Sequence, residues 1–207
     1  MQPTIKGRIH YDEKVIHLGA KHCYDLNAID SKTKYVLAHS FVEKRTLPAC
    51  KKFLGQIKIT CYTQILKHYE KERSKSAKKK KLITFVSDKF PHYKNAWNAL
   101  FFRTTKLSFG VPIACKRFHL EHNNNPIERY NGDLKDRLKI MRGGFGSLAG
   151  AEAFLNLKHL IHNFVNPHQN LDGKTPAEAA GIQINLGRQK LLTLIKLRGE
   201  KIHHSLR

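Results

Sequence analysis

Apolar positions fall into three dense blocks within the first 42 residues, each followed by a short polar step. Residues 8–18, Arg-Ile-His-Tyr-Asp-Glu-Lys-Val-Ile-His-Leu, form the first block and carry Asp12 inside it. Gly-Ala-Lys-His at 19–22 is a turn, Cys23–Ile29 a second block, Asp30-Ser-Lys-Thr a second turn, and Tyr35–Val42 a third block. Strand, short turn, strand, short turn, strand predicts an antiparallel meander.

The pattern then changes period. Thr46-Leu-Pro is a helix opening, a capping residue followed by proline in the first turn. Ala49, Phe53 and Leu54, then Tyr62, Ile65, Leu66 and Tyr69, carry a helical spacing to Arg73. Leu82–Val86 is a run of strand formers that stops at Asp88, and Pro91 opens a helix to Phe101. Lys106–Phe109 reads as a linker and Val111–Leu120 as the next strand. Pro126 opens a long helix to about Arg142, ended by Gly143-Gly-Phe-Gly146. A further helix spans Leu148–Val165, with Phe154, Leu155, Leu157, Ile161, Phe164 and Val165 as its apolar face. Thr175-Pro-Ala-Glu178 is a capping box with Gly181 as the stop, and Leu186–Leu197 is a basic amphipathic stretch fit to dock as a helix. A meander followed by alternating strands and helices predicts an α/β architecture with one mixed sheet.

Charge narrows the function. Lys and Arg total 38 against 16 Asp and Glu, a net charge of +22. Such a surface seeks a polyanion, nucleic acid before all others. No apolar run approaches the ~20 residues that span a bilayer, and Met1–Arg8 has no apolar signal core. The expectation is a soluble cytoplasmic, nucleoid-associated protein with no membrane and no small-molecule substrate. Cys23, Cys50, Cys61 and Cys115 form no Cys-x-x-Cys pair and read as reduced, mostly buried thiols. Zinc could recruit Cys115, His119 and His122, but that spacing fits no common finger. His159 and His162 sit on a core-forming helix and read as satisfied structural histidines. Glu70–Lys81, ending in Lys78-Lys-Lys-Lys81, is the one low-complexity segment. It is a solvated loop, a set of phosphate contacts, or both.

In so acid-poor a chain, acids in or just after strands stand out. Asp12 lies inside the first strand, with Glu13 on the opposite face by alternation; its bland reading is an exposed edge acid. Asp88 ends a near-continuous apolar strand, where open α/β sheets place their chemistry; a helix cap is the alternative. Asp25 reads as an exposed strand position and Asp30 as a turn former. Asn125-Pro-Ile-Glu128 has capping-box spacing, so a structural Glu128 is a live reading. On the helix that follows, Ile127, Leu134, Leu138 and Met141 form the core stripe. Glu128, Lys135, Lys139 and Arg142 form a second stripe beside it, an acid followed by three bases or, blandly, a solvated face. Carboxylates from Asp12, Asp88 and Glu128, if convergent, are the hard oxygen ligands that two Mg²⁺ ions about 4 Å apart need for phosphoryl transfer.

At these acids the sequence resembles the DDE transposase and retroviral-integrase catalytic core of the RNase H-like superfamily, and most closely the short prokaryotic insertion-sequence transposases. The resemblance is carried by Tyr11-Asp-Glu-Lys14, Ala28-Ile-Asp-Ser-Lys-Thr33, Phe85-Val-Ser-Asp-Lys-Phe-Pro-His-Tyr93, Asn124-Asn-Pro-Ile-Glu-Arg129 with Lys135 seven residues after the acid, and Asn166–Ala179. It implies an RNase H-like mixed five-stranded sheet with helices on both faces and a helical C-terminal tail. It implies Asp12, Asp88 and Glu128 as the catalytic and metal-binding triad, holding two Mg²⁺ or Mn²⁺ ions, with Lys135 near the scissile phosphate. The implied reaction is hydrolysis at an element end followed by strand transfer to target DNA, performed by a homodimer or larger assembly. DNA contacts are expected from Lys135, Lys139, Arg142 and Lys78, Lys79, Lys80 and Lys81.

The expected organisation is a catalytic core over residues 1–166, with its Lys-rich loop at about 70–81, and a basic helical extension over 167–207. The family's usual N-terminal end-recognition module is expected to be missing, since the first strand begins almost at Met1. A non-enzymatic basic DNA-binding remnant is therefore the alternative function, and an RNase H-like nuclease without strand transfer the third.

Overall fold

The computed structural model describes residues 2–110, 125–140 and 144–205. Alternating residues from Ile9 to Val42 build the meander as read: β1 (Ile9–Leu18), β2 (Lys21–Asp30) and β3 (Val36–Val42), β2 antiparallel to both its neighbours. The helical period from Thr46 gives a single 27-residue helix, α1 (Leu47–Arg73). Thr46 Oγ1 accepts from the Ala49 N–H at 3.4 Å, and Pro48 sits in the first turn, where its missing N–H costs nothing. The first residues of the expected Lys-rich loop are thus the last turn of α1, and Ala77–Lys79 is a short 3-10 turn. β4 (Thr84–Ser87) lies parallel to β1, and α2 (Pro91–Phe101) follows it.

The sheet is mixed and five-stranded, in the order β3-β2-β1-β4-β5. One reading of the sequence is corrected here. Lys106–Phe109 is no linker but β5, parallel to β4 from Thr84↔Lys106 to Ser87↔Phe109. Four residues of Lys-Leu-Ser-Phe at a sheet edge are too short and too mixed to carry a clear period. The strand expected at Val111–Leu120, and the zinc reading through Cys115, His119 and His122, lie outside the described residues.

Helices cover both faces. On one, Ile9 and Tyr11 of β1 and Leu26 and Ala28 of β2 pack on α1 and α2 through Phe53, Leu54, Ile57, Trp97 and Phe101. On the other, Ile16 meets Leu134 of α3 (Asn125–Ile140) and Ala151 and Leu155 of α4 (Leu148–Phe164). The α3 core stripe is as read for Ile127 and Leu134, which are buried, and Leu138, partly so; Tyr130 and Asn131 are buried beside them. Met141 and Arg142 lie outside the described residues. The expected apolar face of α4 is corrected: Leu157 is 46% exposed, while the line Ala151, Leu155, His159, Asn163 is buried. Two polar residues on that line mean a partly polar interface beneath α4.

The tail folds back on the core. Thr175 and Glu178 form a reciprocal capping box at α5 (Pro176–Ala179), and the Thr4 N–H donates to the Ala180 carbonyl at 2.8 Å. α6 (Lys190–Ser205) carries Leu192, Ile195 and Leu197 exposed. Cys23, Cys50 and Cys61 are free and buried, as expected. Among the described residues, no helix is long and apolar enough to cross a membrane.

Candidate active site

β4 runs beside β1 only at Ile9↔Phe85 and His10↔Val86. Beyond that pairing the ladder of β1 continues on the β2 side, and its other edge faces the chain leaving β4. Asp88 sits at that point, one residue past Ser87. Carboxylate oxygens of Asp12, Glu13 and Asp88 lie within 4.8 Å of one another, each residue half-buried. Alternation does send Glu13 to the Tyr11 face and Asp12 to the Ile16 face. The sequence reading therefore left Glu13 out of the site. It missed that a strand edge open at this level lets side chains from both faces reach the same point.

Asp88 serves a local role as well. Its Oδ1 accepts from the Phe90 N–H at 3.0 Å, turning the chain into α2. The capping alternative is not what forms, since the N-cap of α2 is Phe90 and carries no side-chain cap; the bond fixes the turn ahead of the helix and leaves the second carboxylate oxygen for other work. Glu13 is held by two partners the sequence did not announce. Arg45 pairs with its Oε1, and the Tyr93 hydroxyl donates to its Oε2 at 2.9 Å. Arg45 is itself fixed between the rings of Tyr24 and Phe90, at 4.7 and 4.5 Å from their centroids, a cation–π sandwich. The His92 Nδ1 lies 2.7 Å from the Arg45 carbonyl.

Electrostatics register the crowding. Burial, then the neighbouring Glu13, Asp88 and Glu128 charges, push the Asp12 carboxyl up to about 7. Burial also raises Glu13, against the opposing pull of Arg45 and Tyr93. Glu128 stands in the first turn of α3, which packs across β1, and Asn131 one turn later donates to the Glu13 carbonyl at 3.4 Å. The Glu128 Oε2 is buried with no hydrogen-bond partner among the described residues. A buried carboxylate oxygen without a donor is costly unless a cation takes it. The donor set here is all carboxylate oxygen, which suits Mg²⁺ or Mn²⁺ rather than a softer metal.

The basic residues are spread. Lys135 is exposed on α3, the Lys139 side chain is not among those described, and Arg142 lies outside. Lys78, Lys79 and Lys81 are exposed and Lys80 half-buried, at the N-terminal approach to β4. Asp88 is at the other end of that strand, whose four residues alone span about 13 Å at 3.3 Å per residue.

Two weaker acids are reassigned. Asp25, expected to be exposed, is fully buried: the Asn27 amide donates to its Oδ2 at 3.1 Å, and His159 Nε2 lies 3.1 Å from the same oxygen. β2 is interior to the sheet and covered on both faces, so alternation no longer marks a solvent side. Asp30 is the turn former expected, but buried. Its Oδ1 accepts from the Lys32 and Thr33 N–H groups and its Oδ2 from those of Lys6 and Gly7, all at 2.8–3.0 Å. A side chain at Gly7 would meet Ser31 Oγ at 2.5 Å, so only glycine permits that approach. The structural reading of His159 and His162 stands: the Tyr130 hydroxyl meets His159 Nδ1, and His162 Nε2 lies 2.8 Å from the Lys34 carbonyl.

Comparison with known proteins bears on the whole core. Residues 6–168 match the family model described as DDE domain. No curated protein matches the chain. Among solved structures, a chain of the simian T-cell lymphotropic virus intasome, in complex with PP2A regulatory subunit B56 gamma, aligns with TM-score 0.54 at 13% identity. That alignment covers 90% of this chain and 61% of the other, so this chain spans about three-fifths of the length of that neighbour. The HTLV-2 integrase catalytic core domain in complex with magnesium aligns less closely, with TM-score 0.49, 15% identity, and 87% and 98% of the two chains covered. The catalytic domain of Mos1 transposase with raltegravir and Mn follows, at TM-score 0.45, 12% identity, and 73% and 69% coverage. The fold shared with the intasome chain is the RNase H-like one expected.

Proposed function

The chain belongs to the DDE domain family, and from that premise we propose that it is the catalytic core of a DNA transposase. Its reaction is divalent-metal-dependent phosphodiester hydrolysis at element ends followed by strand transfer. The observation that carries this reading is the cluster of Asp12, Glu13 and Asp88 at the C-terminal end of β4; Glu128 stands outside that 4.8 Å group, but its charge reaches Asp12 and its buried oxygen has no partner among the described residues.

In this reading Asp12, Asp88 and Glu128 hold Mg²⁺ or Mn²⁺, two ions in the usual arrangement. When bound, the metal supplies Lewis-acid activation of the scissile phosphate and of the attacking oxygen. The protein's own contributions are positional. Asp88 is oriented by its bond to the Phe90 N–H. Glu13 brings a further negative charge to the same point, partly offset by Arg45. That balance keeps the pocket anionic enough for cations without leaving Glu13 unpaired in a half-buried site. Lys135, one face along α3, contacts DNA near the scissile phosphate. Lys139 and Arg142 follow the backbone, and Lys78–Lys81 bind phosphates farther out. Residues 1–166 act as the core and 167–207 as a basic extension that docks on it. The partners are element ends and target DNA, and the working form on DNA is a dimer or larger, in the cytoplasm.

The test is Mn²⁺-dependent nicking of supercoiled plasmid by wild type, Asp88→Asn and Glu128→Gln. Loss of an outer-sphere partner alone costs roughly 10–100-fold in metal sites, so losing a ligand should cost at least about 100-fold. DNA binding should persist in both variants. Unchanged nicking in either variant removes that residue from the proposed triad. The alternative of a basic DNA-binding remnant predicts salt-dependent binding with no metal-dependent cleavage in any variant.

A further inference from the structure

We propose that Asp25, His39 and His159 form a second metal site, selective for zinc-class ions, which fastens α4 to the sheet and is chemically distinct from the carboxylate cluster. One oxygen of Asp25 and one ring nitrogen each of His39 and His159 lie within 4.8 Å of one another. They come from three separate elements, β2, β3 and α4. Asp25 Oδ1 is 3.6 Å from His39 Nδ1, and Asp25 Oδ2 is 3.1 Å from His159 Nε2. Tetrahedral ligation at about 2.1 Å sets ligand atoms about 3.4 Å apart, and the 3.6 Å between Asp25 Oδ1 and His39 Nδ1 is close to that spacing.

Two of these atoms lack any hydrogen-bond partner. Asp25 Oδ1 and His39 Nδ1 are buried and unsatisfied among the described residues, and they face each other at a distance too long for a hydrogen bond. Asp25 is fully buried, so no bulk water relieves it. A cation between the two satisfies both. The ligand set, two imidazoles and one carboxylate, is that of zinc and its neighbours and not of Mg²⁺.

The surroundings are those of a supported site. With the metal on His159 Nε2, the ring proton resides on Nδ1 and is donated to the Tyr130 hydroxyl oxygen, its observed neighbour. The Asn27 amide donates to Asp25 Oδ2 at 3.1 Å and orients that carboxylate. His39 keeps 23% of its side chain exposed, so the β3 side is the way in for the ion. The role of such an ion is structural: it satisfies the two unpartnered atoms under α4 and adds a crosslink joining three elements.

The experiment is titration of ZnCl₂, followed by calorimetry, and of CoCl₂, followed by visible absorption, into the Asp88→Asn chain. That background weakens the carboxylate cluster, so failure of the proposed catalysis and failure of this site are read separately. The expected result is one tight equivalent of Zn²⁺, a raised Tm with Zn²⁺ but not Mg²⁺, and cobalt d–d bands of tetrahedral intensity. His39→Ala should lower that affinity at least about 100-fold. His39→Cys should keep the ion and add a thiolate-to-cobalt charge-transfer band, which decides the matter should the alanine variant not fold. Absence of a tight equivalent, undiminished binding in His39→Ala, or a cysteine variant without the charge-transfer band overturns the site.

Discussion

Arg45 is the residue on which the acidic cluster depends most for its balance. It neutralises Glu13 in a half-buried position, and its guanidinium is fixed between two aromatic rings. Arg45→Ala removes that compensation and leaves three acids facing one another, with an expected loss of about 2 kcal/mol in thermal or urea unfolding. Adding Glu13→Gln should recover most of it, and the double-mutant cycle measures the coupling. Asp12 gives the pH counterpart. Its folded value of about 7 lies above its ordinary 3.8, so the native chain holds that proton where the unfolded chain has released it. The Asp12 contribution is therefore whole below about pH 4 and is lost as pH rises toward 7. In EDTA, Asp12→Asn should gain stability over wild type across that window, reaching on the order of 2 kcal/mol at neutral pH. Stabilisation by Mn²⁺ should grow with pH over the same range and vanish in the variant. A wild-type stability that rises in step with Asp12→Asn from pH 4 to 7 would contradict the assignment. At this scale the sequence was partly legible. Asp12 and Asp88 announced themselves as acids in and after apolar strands, and they do meet. Glu13, Arg45 and Tyr93 were silent, because their meeting depends on where β4 stops, which no local pattern records.

Elements were easier to read than their edges. Three strands, the long α1, α2 and α4 follow directly from period and capping residues, and the Thr175 capping box forms as read. β5 was missed because four residues at a sheet edge draw their order from pairing with β4 and not from their own propensity. The buried polar residues under α4 were missed for a different reason. Asp25 and Asn27 on β2 look like a solvent face until His159 and Asn131 arrive from helices more than a hundred residues away. Asp30 shows how one side chain defines an element boundary. It accepts four backbone N–H groups and ties residues 6–7 to the β2–β3 turn. Asp30→Ala strands these donors in a buried site and should cost about 3 kcal/mol, measurable by urea unfolding. A loss under about 1 kcal/mol would show that water replaces the carboxylate there.

Across the whole molecule, charge and fold divide the labour. In the function proposed above, the net charge of +22 supplies affinity for DNA, and a small pocket of acids within that field supplies the chemistry. Lys78–Lys81 stand at the opposite end of β4 from Asp88, so their binding role and the cleavage chemistry should be separable. Replacing all four by serine should reduce the salt dependence of DNA binding by up to about 0.9 in log–log slope for each phosphate that the run neutralises. Nicking by DNA-saturated protein should be unchanged. A slope that stays the same would mean the run touches no phosphate.

The hydrogen bond from the Thr4 N–H to the Ala180 carbonyl has a mechanical consequence. It fastens the segment ahead of β1 to the end of α5, alongside the Gln64 side chain, which accepts from the Ile5 N–H and donates to the Pro3 carbonyl. The leading segment is therefore clasped from two sides, a latch between α1 and the tail. Loosening the tail at α5 unfastens one side of that latch, while the five-stranded ladder keeps its own pairing.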